Sequence, residues 1–466
     1  MKKNFTLFIS IACTLNLYGQ GDKYKVLKSL SDSFTYSEIG YRRKFPINKK
    51  DTLSFGTNYY DNVFKVSTDL DSLTVHFNPK LRPHRQTTFV KIESPNATQV
   101  LYVNFNEMNC WFSIAYMQKA MNQVQYQIPE AYELANVLYA LTKSSDSNTN
   151  RTLKGTQYHR DVLTYFHKFK NHPLIKHLEF AEDGQGSRDY YNFRDNSYCY
   201  TVEKRKIVPN NQYYVVWGVL KDNLFGRYLQ LINDFYQKSN FHKFYEDHIS
   251  YYDTLLKREE QLMPAKKMWD WLQVNFDNKL QSYKIVFSPL ISGSHSTQIF
   301  AWINDLRNRF LEAVMFVSGT SAIDKRTDLN EKQKEGAASG ILFTEIDHNY
   351  CNPVSFKYQK AIDSSLSKRS KWVRADGDVE LYPTAMTIFN EYITHAVYLL
   401  YAYDNLNQKD FEFIKKERED LMVNHRKYIR FKEFDEQLLK LYSHKQPEEK
   451  AKDLFPKIIG WCKNQN

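Results

Sequence analysis

Near residue 129 the hydrophobic period of this chain changes from two to 3.6, and that change restricts its fold class more than any other feature. Residues 50–107 alternate in strand fashion: in DSLTVHF, Leu73, Val75 and Phe77 fall on one face and Ser72, Thr74 and His76 on the other. TTFVKIE and TQVLYVNF are β-branched and aromatic runs separated by ES-PNA, a turn signal. In IPEAYELANVLYALT, Pro129 stands at a helix start with Glu130 in the first turn. Leu134, Val137, Leu138 and Leu141 then recur at i, i+3, i+4 and i+7, one face of a helix. A strand-rich start followed by a helix-rich remainder is the pattern of an α+β protein.

Helices are expected at 158–170, 223–239, 240–260, 262–276 and 383–403. Strand chemistry returns within 281–318, in YKIVFSPLI, TQIFAWIN and FLEAVMFVSG. After the polar segment 324–336 comes a helix carrying TEIDH. It is expected to end near Asn352-Pro353, because proline lacks the N–H that would continue it. RFKEFDEQLLKLY and KDLFPKIIGWC read as closing helices. The expected organisation is a signal peptide over 1–20, a β-rich part over 21–107 and a larger domain over 108–466. The chain has 466 residues with 34 Tyr, 31 Phe and only 15 Gly, so an ordered body with few linkers is expected.

The first residues, MKKNFTLFISIACTLNLYGQG, place Lys2 and Lys3 before a short apolar run from Phe5 to Leu17, with a cleavage zone at Gly19-Gln20. This is the layout of a secretory signal. It implies export, to the periplasm or beyond. A lipoprotein anchor at Cys13 is the secondary reading, because Ser10-Ile11-Ala12 matches a lipobox poorly. No later run is long and apolar enough for a transmembrane helix. Removal of Cys13 leaves Cys110, Cys199, Cys351 and Cys462, with no C-x-x-C pair, which argues against both a disulfide scaffold and a cysteine zinc site. The net charge of +11 is spread out. Runs such as Lys368-Arg369-Ser370-Lys371 and Lys415-Lys416-Glu417-Arg418 read as solvated faces. Export makes nucleic acid an improbable partner, and the charge suits association with anionic envelope material.

Chemistry concentrates in G-ILFTEIDHNYCN-P, residues 340–353. In an H-E-x-x-H helix the two His residues lie one turn apart and hold zinc, while the Glu activates a metal-bound water. Here Glu345 holds the base position and His348 the second ligand position, but the first ligand is Thr344, whose hydroxyl is a weak zinc donor. Downstream, Phe389-Asn390-Glu391 offers Glu391 as a carboxylate ligand, with His395 one turn along the same face. Asp347 reads as a surface residue or helix partner. The competing reading is structural, since E-x-x-H alone recurs by chance. His242, Glu246, Asp247 and His248, interleaved with Phe244, Tyr245, Tyr251 and Tyr252, read as packing polarity rather than a metal pair. Ser288 lacks a G-x-S-x-G elbow, and no Gly-rich phosphate loop appears.

From about residue 90 onward the chain resembles a family of exported bacterial proteins carrying a domain of unknown function, whose members look like gluzincin metallopeptidases. The resemblance rests on IPEAYELANVLYALT, FHKFKNHPLIKH, NFHKFYEDHISYYD, IVFSPLISG, TEIDHNYCNP, NEYITHA and RFKEFDEQLLKLY. Members of that family read H-E-F-x-H then N-P, followed by N-E with Arg or a similar residue before Ala. Glu345, His348, Asn352, Pro353, Asn390 and Glu391 fall on matching positions, while Thr344 and His395 depart from the pattern.

The resemblance implies a mainly helical zincin-like core with a small antiparallel sheet, preceded by the β-rich part. It implies a metallopeptidase-like site in which Glu345 and His395 are catalytic and His348, Glu391 and Thr344 are metal positions. Zinc would be held weakly or not at all, and in a rebuilt site Glu345 would serve as a ligand. The function expected is a weakly active or rebuilt peptidase acting on peptide or protein. The alternative is a non-catalytic protein that binds a peptide or an envelope protein in the same cleft.

Overall fold

The computed structural model describes residues 25–38, 41–47, 52–56, 63–76, 87–104, 110–148, 150–182, 184–213, 223–303, 309–374, 382 and 384–465. The signal region 1–20, with Lys2, Lys3 and Cys13, and Phe77 of the first strand pattern lie outside the described residues. The chain divides into two compact units: Met1–Asn109 with Ile303–Arg309, and Cys110–Trp302 with Phe310–Asn466.

The first unit holds β1 (Lys25–Lys28), β2 (Ser33–Glu38), β3 (Tyr41–Pro46), β4 (Thr52–Gly56), β5 (Val63–Ser67), β6 (Ser72–His76), β7 (Thr87–Glu93) and β8 (Thr98–Asn104). They form two four-stranded sheets, ordered β1-β7-β8-β4 and β3-β2-β5-β6. The turn expected at ES-PNA joins β7 to β8 as an antiparallel pair, with Val90 opposite Leu101. In the other sheet Tyr36 pairs with Val66 and Val66 with Leu73. Leu27, Phe34, Tyr36, Val66, Val90, Ile92 and Leu101 form one buried core, with Leu73 packed against it. Period-2 alternation thus delivers apolar side chains of β1, β2, β5, β7 and β8 to a shared interior.

The second unit is mixed but mostly helical. Its sheet contains β9 (Gln123–Gln127), β12 (Ser282–Ser288), β13 (Ser296–Ile303) and β14 (Arg309–Ser318), in the order β13-β14-β12-β9. β10 (Tyr200–Glu203) and β11 (Lys206–Pro209) make a separate hairpin. β12 runs parallel to both β14 and β9. The expectation of a small antiparallel sheet is therefore corrected. The chain between β9 and β12 is more than a hundred residues long and largely helical, a crossover that brings these two strands in with the same direction. All seven residues of β12 are buried, as befits a central strand covered on both faces.

The principal helices are α1 (Glu130–Ala140), α2 (Gly184–Asn196), α3 (Glu331–Lys357), α4 (Ala385–Asn405), α5 (Gln408–Asp420), α6 (Phe431–Ser443) and α7 (Phe455–Asn464). α3 begins at a capping box between Asn330 and Gln333, and α4 at one between Thr384 and Thr387. α3 and α4 pack along much of their lengths. Gly336 and Gly340 let side chains of α5 reach the α3 backbone. A Cβ at Gly336 would meet Ile414 at 2.8 Å, and one at Gly340 would meet Arg418 Nη2 at 1.7 Å. The Tyr398 hydroxyl donates to the Gly336 carbonyl.

α3 does not stop at Pro353 as expected; it continues to Lys357. Proline at 353 removes the N–H that would bond the Asn349 carbonyl one turn earlier. Asn278 replaces that donor, its Nδ2 lying 2.6 Å from the Asn349 oxygen. A side chain from outside the helix thus satisfies the orphaned acceptor, and the helix runs on. The four described cysteines, Cys110, Cys199, Cys351 and Cys462, are all buried and unbridged.

Candidate functional site

The site is built on facing stretches of α3 and α4. His348 and Glu391 meet there: His348 Nε2 lies 3.7 Å from Glu391 Oε1. Asn352 sits one turn beyond His348 on α3, with its Oδ1 3.3 Å from His348 Nδ1. The His348 ring thus stands between the Asn352 side-chain amide and the Glu391 carboxylate. The His348 side chain is 23% exposed and that of Glu391 8%, so the pair opens to solvent on the His348 side.

Glu345 is half-buried and lies within electrostatic reach of His348, Glu391, Arg426 and Arg194. Burial pushes its carboxyl above the usual range; His348 opposes the shift and Glu391 adds to it. Thr344 is turned away from this group. Its Oγ1 donates to the carbonyls of Gly340 and Ile341, each at 3.1 Å. Such back-bonding is the default of a threonine inside a helix.

His395 is buried between two arginines. Arg426 Nη1 approaches its Nε2 at 2.5 Å, and Arg418 Nη1 its Nδ1 at 3.0 Å. A neutral imidazole has one lone pair, so its single acceptor nitrogen is already engaged by a guanidinium. Burial, then Arg426 and Arg418, hold its pKa well below that of an ordinary histidine. His395 stays neutral there and offers no positive charge to a substrate.

Asp347, expected as a surface residue or helix partner, is fully buried. Its nearest polar contact is the Cys351 thiol at 3.9 Å, one turn along α3. Burial first, then the charges of Glu345 and Glu391, push its carboxyl well above the normal range. The helix face opposite His348 is interior because α3 is enclosed, and spacing alone does not reveal that. The polar cluster at 242–248 behaves as expected: His242 bridges Glu130 at 2.9 Å and Glu246 at 3.2 Å between packed aromatics.

Four residues complete the site that spacing arguments did not reach. Arg426 Nη2 lies 2.7 Å from Glu391 Oε2 and 3.1 Å from the Tyr382 hydroxyl. Arg426 follows a π-turn, Leu421–His425, closed by its own N–H on the Leu421 carbonyl at 2.9 Å. The extra residue in that turn alters the phase of the chain before Arg426, a frequent use of π-turns at functional places. Arg194 on α2 approaches from another side, paired with Asp195 at 2.7 Å. Arg418 comes from α5. A usable signal existed for it: Phe411, Ile414 and Arg418 fall at i, i+3 and i+7, the buried stripe of α5. The run Lys415-Lys416-Glu417-Arg418 is therefore not a uniformly solvated face.

The donor set does not suit zinc. His348 Nε2 and His395 Nε2 lie 3.7 and 3.9 Å from the two oxygens of Glu391, but both ring nitrogens of His395 are approached by guanidiniums and the Thr344 hydroxyl bonds to its own helix. The second oxygen of Glu391 carries a guanidinium. Among the described residues no three His, Cys, Asp or Glu side chains are arranged to hold a metal ion. β13, the end strand of the sheet, runs beside the site, with Asn349 Nδ2 3.5 Å from Thr297 Oγ1. No helix among the described residues is long and apolar enough to cross a membrane. No protein-family model, curated protein or solved structure matches the chain.

Proposed function

We propose that this chain is an exported, zincin-like protein that binds peptide in a peptidase-type cleft without zinc hydrolysis. One observation carries the reading: the Arg426 guanidinium, 2.7 Å from Glu391 Oε2, supplies a fixed positive charge at the carboxylate that would otherwise ligate the metal. A permanent monocation bonded to the ligand carboxylate weakens its hold on a dication, both by repulsion and by engaging a lone pair. The back-bonded Thr344 points the same way.

Peptide is the favoured ligand because a sheet edge lies beside the polar group. An extended segment adds to such an edge through main-chain hydrogen bonds, and side chains near its end enter the neighbouring pocket. In this reading β13 orients the peptide, and His348 and Glu345 line the pocket at its end. Export rests on the N-terminal sequence pattern alone.

The test combines metal analysis with binding. Protein purified without added metal is expected to carry well under one zinc per chain and to bind extended peptides equally with and without chelator. A full equivalent of zinc together with chelator-sensitive peptide cleavage overturns the proposal.

A further inference from the structure

The last helix carries a glycine that nothing in its surroundings requires. Gly460 lies inside α7, where glycine is a poor helix former, and its backbone is not left-handed. A Cβ built there meets no atom within 4 Å, whereas one at Gly336 or Gly340 would collide with a neighbour. Close helix packing therefore does not explain Gly460. What it does is keep a space open.

That space is a cavity of about 260 Å³ between α7 and the helix Gln359–Ser365. Its floor is one stripe of α7: Pro456, Gly460 and Lys463 stand at i, i+4 and i+7, with the buried Ile459 alongside. The facing wall presents the small side chains of Ala361 and Ser365, one turn apart. Among the described residues, Lys463 is the one charged side chain lining the cavity, and it forms no ion pair with any of them. Seven positions separate Pro456 from Lys463, roughly 10 Å by helical rise. The positive charge thus stands at one end of a mostly apolar slot.

Size and charge together select the occupant. A cavity of about 150 Å³ holds benzene, so by proportion this one holds roughly ten carbon atoms. That is one short alkyl chain and too little for the two chains of a membrane phospholipid. The lysine at the end of the slot, with no carboxylate lining it, complements a single negative head group. We infer that this groove binds a medium-chain alkyl carboxylate, a free fatty acid with its head group at Lys463. The inference is independent of the peptide reading and of the residues that carry it.

The test is calorimetric titration of the whole chain with butanoate, hexanoate, octanoate and decanoate, each below its micelle concentration. Full burial of a methylene is worth about fourfold in affinity. One side of the groove is open, so a rise of roughly twofold per methylene is expected by the same measure. Gly460→Leu puts a side chain into the groove. Nothing obstructs its Cβ and leucine favours helix, so the variant is expected to melt like the parent and to bind octanoate at least about tenfold more weakly. Gly460→Ala is the gentler intrusion and is expected to cost about two- to fourfold, one methylene's worth. Lys463→Glu reverses the charge at the end of the slot. The parent is expected to prefer octanoate to octylammonium by roughly two- to fivefold, the range of an exposed ion pair, and the variant to prefer octylammonium. Vesicles of phosphatidylglycerol are expected not to displace octanoate. An affinity that does not change with chain length, undiminished binding by both Gly460 variants, or the same order of preference in Lys463→Glu overturns the inference. Displacement by the vesicles assigns the groove to a bilayer lipid and overturns the free fatty acid.

Discussion

Asn278 caps Asn349: its Nδ2 lies 2.6 Å from the Asn349 carbonyl, at the point where Pro353 removes the helix's own donor. The two features compensate each other, so they should couple. Asn278→Ala removes this donor from the Asn349 carbonyl and is expected to lower stability by about 1–3 kcal/mol in urea denaturation. Pro353→Ala restores the N–H, so the same Asn278 change should matter less in that background. Strictly additive single and double variants would show that the cap does not depend on the proline.

Gly340 is where Arg418 passes between helices. In Gly340→Ala the new Cβ would meet Arg418 Nη2 at 1.7 Å and Tyr398 Cε1 at 3.0 Å. The arginine must withdraw from His395. Alanine improves helix propensity by about 1 kcal/mol, while overpacking typically costs about 1–3 kcal/mol. A net loss of up to about 2 kcal/mol is expected by the same balance. A variant more stable than the parent would show that Arg418 is not held there.

Glu133 on α1 is fully buried, with the Tyr158 hydroxyl 2.8 Å from its Oε1. Burial raises its pKa from 4.5 to about 7. Between those values the native state keeps a proton that the unfolded chain releases, so this residue makes stability fall as pH rises through the window. Above pH 7 the loss is complete. Glu133→Gln stays uncharged and keeps an acceptor for Tyr158. Its advantage over the parent should be small near pH 4 and grow to roughly 3 kcal/mol near pH 8, an upper figure from the size of the shift. Glu259 is displaced to about 7 in the same direction, but it is present in both proteins and drops out of the difference. Equal pH profiles for the two proteins would contradict the assignment.

Thr344 lies one turn before His348, so Thr344→His places an imidazole beside the one already there. The variant is expected to bind more zinc than the parent, measured as metal per folded chain. Glu391→Ala in that background should remove the gain. Arg426 opposes a dication at Glu391, so adding Arg426→Gln to Thr344→His should raise zinc further. If Thr344→His folds normally and its zinc content stays at the parent's level, position 344 does not face the pocket.

Much of the architecture was legible because amphipathic spacing survives burial on one side. Leu134, Val137 and Leu138 mark α1 as they should, and TTFVKIE and TQVLYVN become β7 and β8. The same reasoning fails where an element is enclosed. α3 is packed on several sides, so Asp347 is interior although it lies off the His348 face. The helix outlasts Pro353 because Asn278, more than seventy positions upstream, supplies the missing donor. The parallel pairing of β9 with β12 follows from a long crossover and that of β12 with β14 from the intervening β13, and strand chemistry says nothing about direction. At the site, the spacing of Glu345, His348 and Glu391 brought those three into view. Arg426 and Tyr382 come from a π-turn and an irregular segment, with no periodic pattern to mark them.

The four buried, unbridged cysteines give the second unit a set of internal clocks. Burial pushes the thiols of Cys110, Cys199, Cys351 and Cys462 above their normal pKa, so none presents a reactive thiolate to the outside. A thiol reagent reaches each one only when its surroundings open. Cys351 times the opening of the long helix, Cys462 that of the last helix, Cys199 the entry to the β10–β11 hairpin, and Cys110 the segment bonded to β13. If all four are labelled at one rate, the unit opens as a single body. If Cys462 runs ahead of Cys351, the closing helix leaves first and the site-bearing helix is the last to let go.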